Sequence, residues 1–289
     1  MTILRAPLRL FLLSLLLASS AFATRTITDE LGRIVKVPDR AHRLVCLAPS
    51  ITDTVYDLGR GNDIVGITDY TKYPPEAKQK PSVGGVINPS IEKLLSLKPD
   101  LVLAIGDLNA LDLAKGIERL GIPVFVIHPR GLEGVYRSIE QIAIAIAAQR
   151  EASDLVLRLR ARELAVRKRV AGKKTPTVFF LLWPEPLMTA GRGAFITELI
   201  EIAGGKSVTD DMPSEWPRLS FEALLARKPE YLLLVKGSQV SLETLEHQGG
   251  WQKLDAVKNR RVFYADDRIE FPSPIAIDAL EDLAKQFHP

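Results

Sequence analysis

Eleven residues recur in this chain at a constant offset of 130. Ser90-Ile91-Glu92-Lys93-Leu94-Leu95-Ser96-Leu97-Lys98-Pro99-Asp100 aligns without a gap on Ser220-Phe221-Glu222-Ala223-Leu224-Leu225-Ala226-Arg227-Lys228-Pro229-Glu230. The shared positions are those that build a capped helix: Ser to accept the first free backbone N–H groups, Glu beside the positive helix end, and Pro to stop the helix before the apolar run that follows each copy. A helix–strand unit present twice restricts the chain to two related α/β lobes facing each other. The cleft between such lobes is where small-molecule sites preferentially lie.

The remaining apolar runs agree. Leu44–Leu47, Ile64–Ile67, Leu101–Ile105 and Val124–Ile127 alternate with amphipathic stretches, the pattern of βα units around a largely parallel sheet. This predicts an N-terminal lobe over 24–131. From 132 to 173 there is no Pro, and Gly occurs only at Gly134 and Gly172; Ile139, Ile142, Ile146, Leu155 and Leu159 keep helical spacing. One long bridging helix is expected there, with room for a break near Gln149, its basic run being a solvated face. A second α/β lobe over 174–289 follows, with strands at Val178–Leu182, Tyr231–Val235 and Val262–Ala265 and a closing helix from Pro274 to Phe287. Trp251 is placed on a peripheral helix.

Residues 1–23 read as a secretory leader: Arg5 and Arg9, an apolar stretch from Leu10 to Ala18, and Ala21-Phe22-Ala23 as the cleavage site. With no cysteine at that site to take a lipid, a soluble periplasmic product that is not a lipoprotein is expected. The formal charge of +3 falls to +1 once the two leader arginines are set aside, which argues against nucleic acid as a partner.

Chemistry-bearing motifs are scarce. No nucleophile elbow, phosphate-binding loop, dinucleotide fingerprint or zinc-protease motif is present, so no catalytic residue is assigned. The single Cys46 lies in an apolar strand and reads as an inert thiol; the four histidines lack ligand spacing, His128 at a strand end being the one candidate ligand. No resident metal or cofactor is expected. Gly191-Arg192-Gly193 reads as a turn, with an anion cradle as the alternative. The informative residues are aromatics and prolines in loops at strand ends: Asp69–Pro75, Trp183–Pro186, Glu215–Pro217 and Asp266–Pro272. Flat side chains held by neighbouring prolines suit a preformed pocket for a large rigid ligand.

Arg43–Asp53, Tyr73–Ala77, Val83-Gly84-Gly85 with Asn88-Pro89, and Leu94–Val102 resemble the periplasmic substrate-binding proteins of the cobalamin, siderophore and haem ABC importers, most of all the cobalamin-binding members. The resemblance spans nearly the whole chain beyond the leader. It implies two α/β lobes bridged by one long helix, a cleft that binds ligand with little hinge motion, and docking on a membrane permease dimer through Glu92 and Glu222. It also implies a stacking tyrosine at Tyr70, a stacking tryptophan at Trp216 and an acidic ligand contact at Asp267. Two positions depart from the pattern: Val86 stands where a tryptophan is usual and Phe271 where an arginine is usual. Trp183 is the candidate replacement ring. Ser50, Met188 and Glu270 complete the expected pocket.

The reading is a monomeric receptor that delivers a corrinoid to an ABC permease. The alternative ligands are haem, with Tyr70 or His128 as axial group, and a ferric siderophore. A periplasmic hydrolase or oxidoreductase is the remote alternative, lacking a nucleophile–base pair.

Overall fold

The computed structural model describes residues 23–106, 110–238 and 240–289. The leader expected over 1–23 therefore falls, Ala23 apart, outside the described residues. The N-terminal lobe comprises β1 (Thr24–Thr28), β2 (Ile34–Pro38), β3 (Leu44–Cys46), α1 (Pro49–Asp57), β4 (Ile64–Gly66), α2 (Ile91–Ser96), β5 (Leu101–Ile105), α3 (Ala110–Glu118) and β6 (Val124–Ile127). Helices α4 (Gly131–Ile146) and α5 (Gln149–Val170) follow. The C-terminal lobe comprises β7 (Thr177–Phe180), β8 (Trp183–Pro184), β9 (Leu187–Met188), α6 (Phe195–Ile202), β10 (Lys206–Ser207), α7 (Phe221–Arg227), β11 (Tyr231–Val235), α8 (Leu242–His247), α9 (Asp255–Lys258), β12 (Val262–Ala265) and α10 (Ala276–Phe287).

The eleven-residue repeat is the visible part of a larger equivalence. Ser90 and Ser220 each accept a backbone N–H three residues on, at 3.3 and 3.2 Å. Lys98 and Lys228 both turn the chain through left-handed backbone, with φ of 47° and 46°. Strands β5 and β11 then begin and end 130 residues apart. The sheets match in order, β4-β3-β5-β6 in one lobe and β10-β7-β11-β12 in the other, with every pairing parallel.

Strand alternation divides the core into layers. Leu44, Cys46, Leu101, Leu103, Phe125 and Ile127 point from one face of the first sheet into the same apolar cluster that receives Val178, Phe180, Leu233 and Val235 from the second. Helices α1, α4, α5, α6 and α10 fill that cluster, so one core runs through both lobes. The opposite sheet faces bury Val45, Val102 and Val124 in one lobe and Phe179, Leu232 and Leu234 in the other. Cys46 is fully buried in the shared core, and burial pushes its thiol up to about 12, which leaves it inert at physiological pH.

The segment expected over 132–173, with room for a break near Gln149, is two helices that part at Ala147-Ala148. Ala147 takes left-handed backbone (φ 57°, ψ 57°), and the Ala148 N–H donates back to the Ala143 carbonyl at 2.9 Å, closing α4 in the manner usually supplied by glycine. Arg25 donates to the carbonyls of Ile144 and Ala145, and Arg60 to that of Ile146, so the free carbonyl end of α4 is satisfied by cations. α5 then packs back along α4. Arg160 sits 4.5 Å over the Tyr136 ring and bonds Glu133 with both outer nitrogens, at 2.6 and 2.7 Å, while the Tyr136 hydroxyl donates to Glu163. The 22-residue α5 is the long helix that joins the lobes.

Trp251 lies on a short helical turn, Trp251–Lys253, on the outer side of the C-terminal lobe, and its ring is buried. It is 3% exposed, meets Phe221 edge-on at 5.3 Å and anchors the outer core of the C-terminal lobe.

Candidate functional site: a cleft between strand ends

Loops at the carboxyl ends of the parallel strands of both lobes meet across the cleft, the position at which open α/β sheets bind ligands. From the N-terminal lobe come Asp69–Tyr73 after β4 and His128–Arg130 after β6. From the C-terminal lobe come Trp183 after β7, Glu215 and Trp216 after β10, and Asp266–Phe271 after β12.

The C-terminal lobe contributes an apolar platform. β8 and β9 pair as a hairpin with Trp183 opposite Met188, and Met188 pairs in turn with Arg218 on its other side. Backbone bonds continue that second pairing, from Gly191 N–H to the Glu215 carbonyl at 2.9 Å and from Leu219 N–H to the Leu187 carbonyl at 3.2 Å. Alternation along these strands puts Trp183, Met188 and Trp216 on one face, together with the exposed Arg218. Both tryptophans stay open, at 46% and 42% exposure. Gly191 makes the platform possible: a Cβ there would lie 2.2 Å from the Ser214 carbonyl oxygen, so only glycine lets the Trp216 segment approach. The Gly191-Arg192-Gly193 stretch thus carries a close backbone approach, and its Arg192 side chain donates to the Asp210 carbonyl at 3.0 Å.

On the facing lobe Tyr70 is 66% exposed. Its turn is fixed by Asp69 N–H bonding the Gly84 carbonyl at 3.0 Å, by the Ser82 hydroxyl on the Asp69 carboxylate, and by Thr71 N–H on the Thr68 carbonyl at 3.2 Å. Beside Val86, where the resemblance leads one to expect a tryptophan, Ile87 projects into solvent as an apolar side chain that sequence reasoning passed over. Ser50 is 5% exposed in the first turn of α1 and offers a ligand little surface.

Asp267 does not stand free at the cleft edge. Its two carboxylate oxygens accept from the opposite lobe, one from Lys72 Nζ at 2.6 Å and the other from the Tyr73 hydroxyl at 2.7 Å. Burial together with the Asp267 carboxylate pushes the Tyr73 hydroxyl up to about 12. Glu270 has no such partner among the described residues; lost hydration, reinforced by the Asp267 charge, holds its carboxyl above the usual range.

His128 is committed at both ring nitrogens. Nδ1 faces the Gly106 carbonyl and Nε2 accepts from Arg130 Nε at 2.9 Å, while Arg130 also pairs with Glu215 across the cleft. With Nε2 taken by Arg130 and Nδ1 against the Gly106 carbonyl, neither ring nitrogen is left free for an axial ligand. Leu31, Ile105, Gly106, Leu111, Pro129 and these polar groups surround a recess of about 440 Å³.

Glu92 and Glu222 occupy equivalent sites in the first turns of α2 and α7, each exposed on its own lobe. Hydrogen bonding from its own backbone N–H and from Ser220 lowers the Glu222 carboxyl. Among the described residues no group of three or more His, Cys, Asp or Glu is arranged to hold a metal ion, and no helix is long and apolar enough to cross a membrane.

Comparison with known proteins places this geometry. The family model described as "Periplasmic binding protein" matches residues 44–269. The uncharacterized ABC transporter substrate-binding lipoprotein YvrC of Bacillus subtilis is 31% identical over 272 residues, covering 91% of this chain and 85% of that protein. The vitamin B12-binding protein of Vibrio cholerae is 28% identical over 249 residues, 85% and 89% of the two chains. Among solved structures, the periplasmic haem-binding protein RhuT from Roseiflexus superposes with a TM-score of 0.78 at 28% identity, covering 86% of this chain and 98% of that one. The first of these is a substrate-binding protein of an ABC transporter, and the other two bind vitamin B12 and haem. The Bacillus protein also corrects one expectation: it is a lipoprotein, so the reading of this chain as a soluble product that is not a lipoprotein does not stand.

Proposed function

We propose that this chain, which belongs to the periplasmic binding protein family, captures a corrinoid in its inter-lobe cleft and delivers it to the permease of an ABC importer. The observation that carries the ligand is the open platform of Trp183, Met188 and Trp216 on one lobe, with Tyr70 exposed on the other. A wide planar macrocycle covers such a surface on both sides and gains stacking at small ordering cost. Glu270 at the rim suits a ligand with amide donors, since a carboxylate facing an apolar ligand edge would be left unpaired. The kinship with the vitamin B12-binding protein of Vibrio cholerae supports the same ligand class.

Haem is the second reading, favoured by the exposed Tyr70 hydroxyl as an axial oxygen and by the likeness to RhuT. His128 does not help it, because its Nε2 is occupied by Arg130. Capture without chemistry fits both ligands. Glu92 and Glu222, one on each lobe, supply two separated negative charges for basic groups on the two halves of a permease dimer. The core shared by both lobes through α4, α5 and α10 limits hinge motion of the cleft without setting its width alone.

The absorption spectrum of protein purified from its native host without added ligand tests the reading. Corrin bands are the expected result; a Soret band replaces the corrinoid with haem, and a broad ferric-chelate band replaces it with a siderophore.

A further inference from the structure

We propose that two polar bridges, Lys72 and Tyr73 to Asp267 and Arg130 to Glu215, are clasps that frame the ligand slot and govern the rate at which ligand enters and leaves. The assignment follows from topology. Lys72 and Tyr73 follow β4, one edge of the first sheet, and their partner Asp267 follows β12, an edge of the second. Arg130 follows β6, the opposite edge of the first sheet, and its partner Glu215 follows β10, the opposite edge of the second. One clasp therefore closes each flank. Four strands separate the flanks by three inter-strand spacings, about 14 Å, and the Trp183–Met188–Trp216 platform projects from the same strand ends.

Each clasp is held in place by a neighbouring ring. Tyr73 packs edge-on against Phe271 of the other lobe at 6.4 Å, and Arg130 is steered toward Glu215 by the bond from its Nε to His128. Asp267 spends both oxygens on groups of the opposite lobe, which makes it a bridge between lobes where the family resemblance implies a ligand contact. The apolar contact between lobes runs through the helices, whereas the clasps lie at the strand ends, where a ligand must pass. Breaking them therefore lowers the barrier to exchange in both directions, and leaves the shared core in place.

The first test needs no ligand. Lys93→Cys with Ala223→Cys places spin labels on exposed positions of opposite lobes, and the buried Cys46 stays unlabelled. The inter-label distance distribution should broaden in D267N/E215Q and narrow again when the charges are exchanged in K72D/D267K and R130E/E215R. An unchanged width in D267N/E215Q overturns the clasps. The second test rests on the capture reading and uses cyanocobalamin and haemin in stopped flow. D267N/E215Q should raise association and dissociation rates together, by roughly tenfold for loss of charge-assisted bonds. A rise in dissociation alone returns Asp267 to the role of ligand contact and refutes the proposal. If the wild type binds neither probe, those ligands fail and the spin-label result alone decides the clasps.

Discussion

Replacing Trp216 by alanine removes the ring that the account relies on most, and its effect can be worked out from exposure. A tryptophan side chain presents up to about 250 Å²; with 42% of Trp216 open, roughly 100 Å² is available to a ligand. A planar ligand covers one face, about half of that area, which at ~25 cal/mol per Å² contributes about 1.3 kcal/mol. Stacking adds about 0.5–1.5 kcal/mol. The expected loss is about 2 kcal/mol, near thirtyfold in Kd. Calorimetric titration of Trp216→Ala with cyanocobalamin measures it, with the unfolding midpoint as control, because an open ring contributes little to the fold. A loss below threefold in a folded protein would show that the ligand lies elsewhere, and would remove the platform from the site.

Charge reversal of both docking candidates, E92R with E222R, should abolish uptake by reconstituted permease and leave cyanocobalamin affinity unchanged; normal uptake ends the docking assignment. Trp251→Ala should cost about 3–5 kcal/mol in denaturant unfolding, because the ring is core, and a loss under 1 kcal/mol would contradict that placement. Asp57, pushed up to about 6 by lost hydration and then by the charges of Asp53 and Asp278, holds its proton more tightly folded than unfolded. Its stabilising share is thus complete below about pH 4 and is lost as pH rises through 6. Since Asp57 is exposed and solvent screens its charge, Asp57→Asn should stabilise the protein by about 1 kcal/mol at most at pH 8 and not at pH 4; equal effects at both pH values would refute the shift.

The lobes were legible because their signals are local. A short apolar run marks each central strand, Ser90 and Ser220 mark each helix start, and the offset between them carries through to the matching sheet orders. The break allowed for near Gln149 falls at Ala147-Ala148, but its construction leaves no mark in the pattern, because Ala147 adopts the left-handed turn that glycine ordinarily announces and the arginines that satisfy α4 come from positions 25 and 60. Trp251 follows two glycines in sequence, and nothing local reveals that Phe221 closes over it. In the cleft, exposed rings at loop positions 70, 183 and 216 could be read from the prolines around them. The bonds to Asp267 join residues 194 and 195 positions apart, and charge complementarity over that separation leaves no trace in the pattern.

Titration of the purified wild-type protein with cyanocobalamin and, separately, with haemin tests the central claim most directly. Corrinoid capture gives saturation by one equivalent of cyanocobalamin with tryptophan quenching that Trp216→Ala diminishes. No response to cyanocobalamin, together with a haemin Soret shift that Tyr70→Phe abolishes, would contradict it.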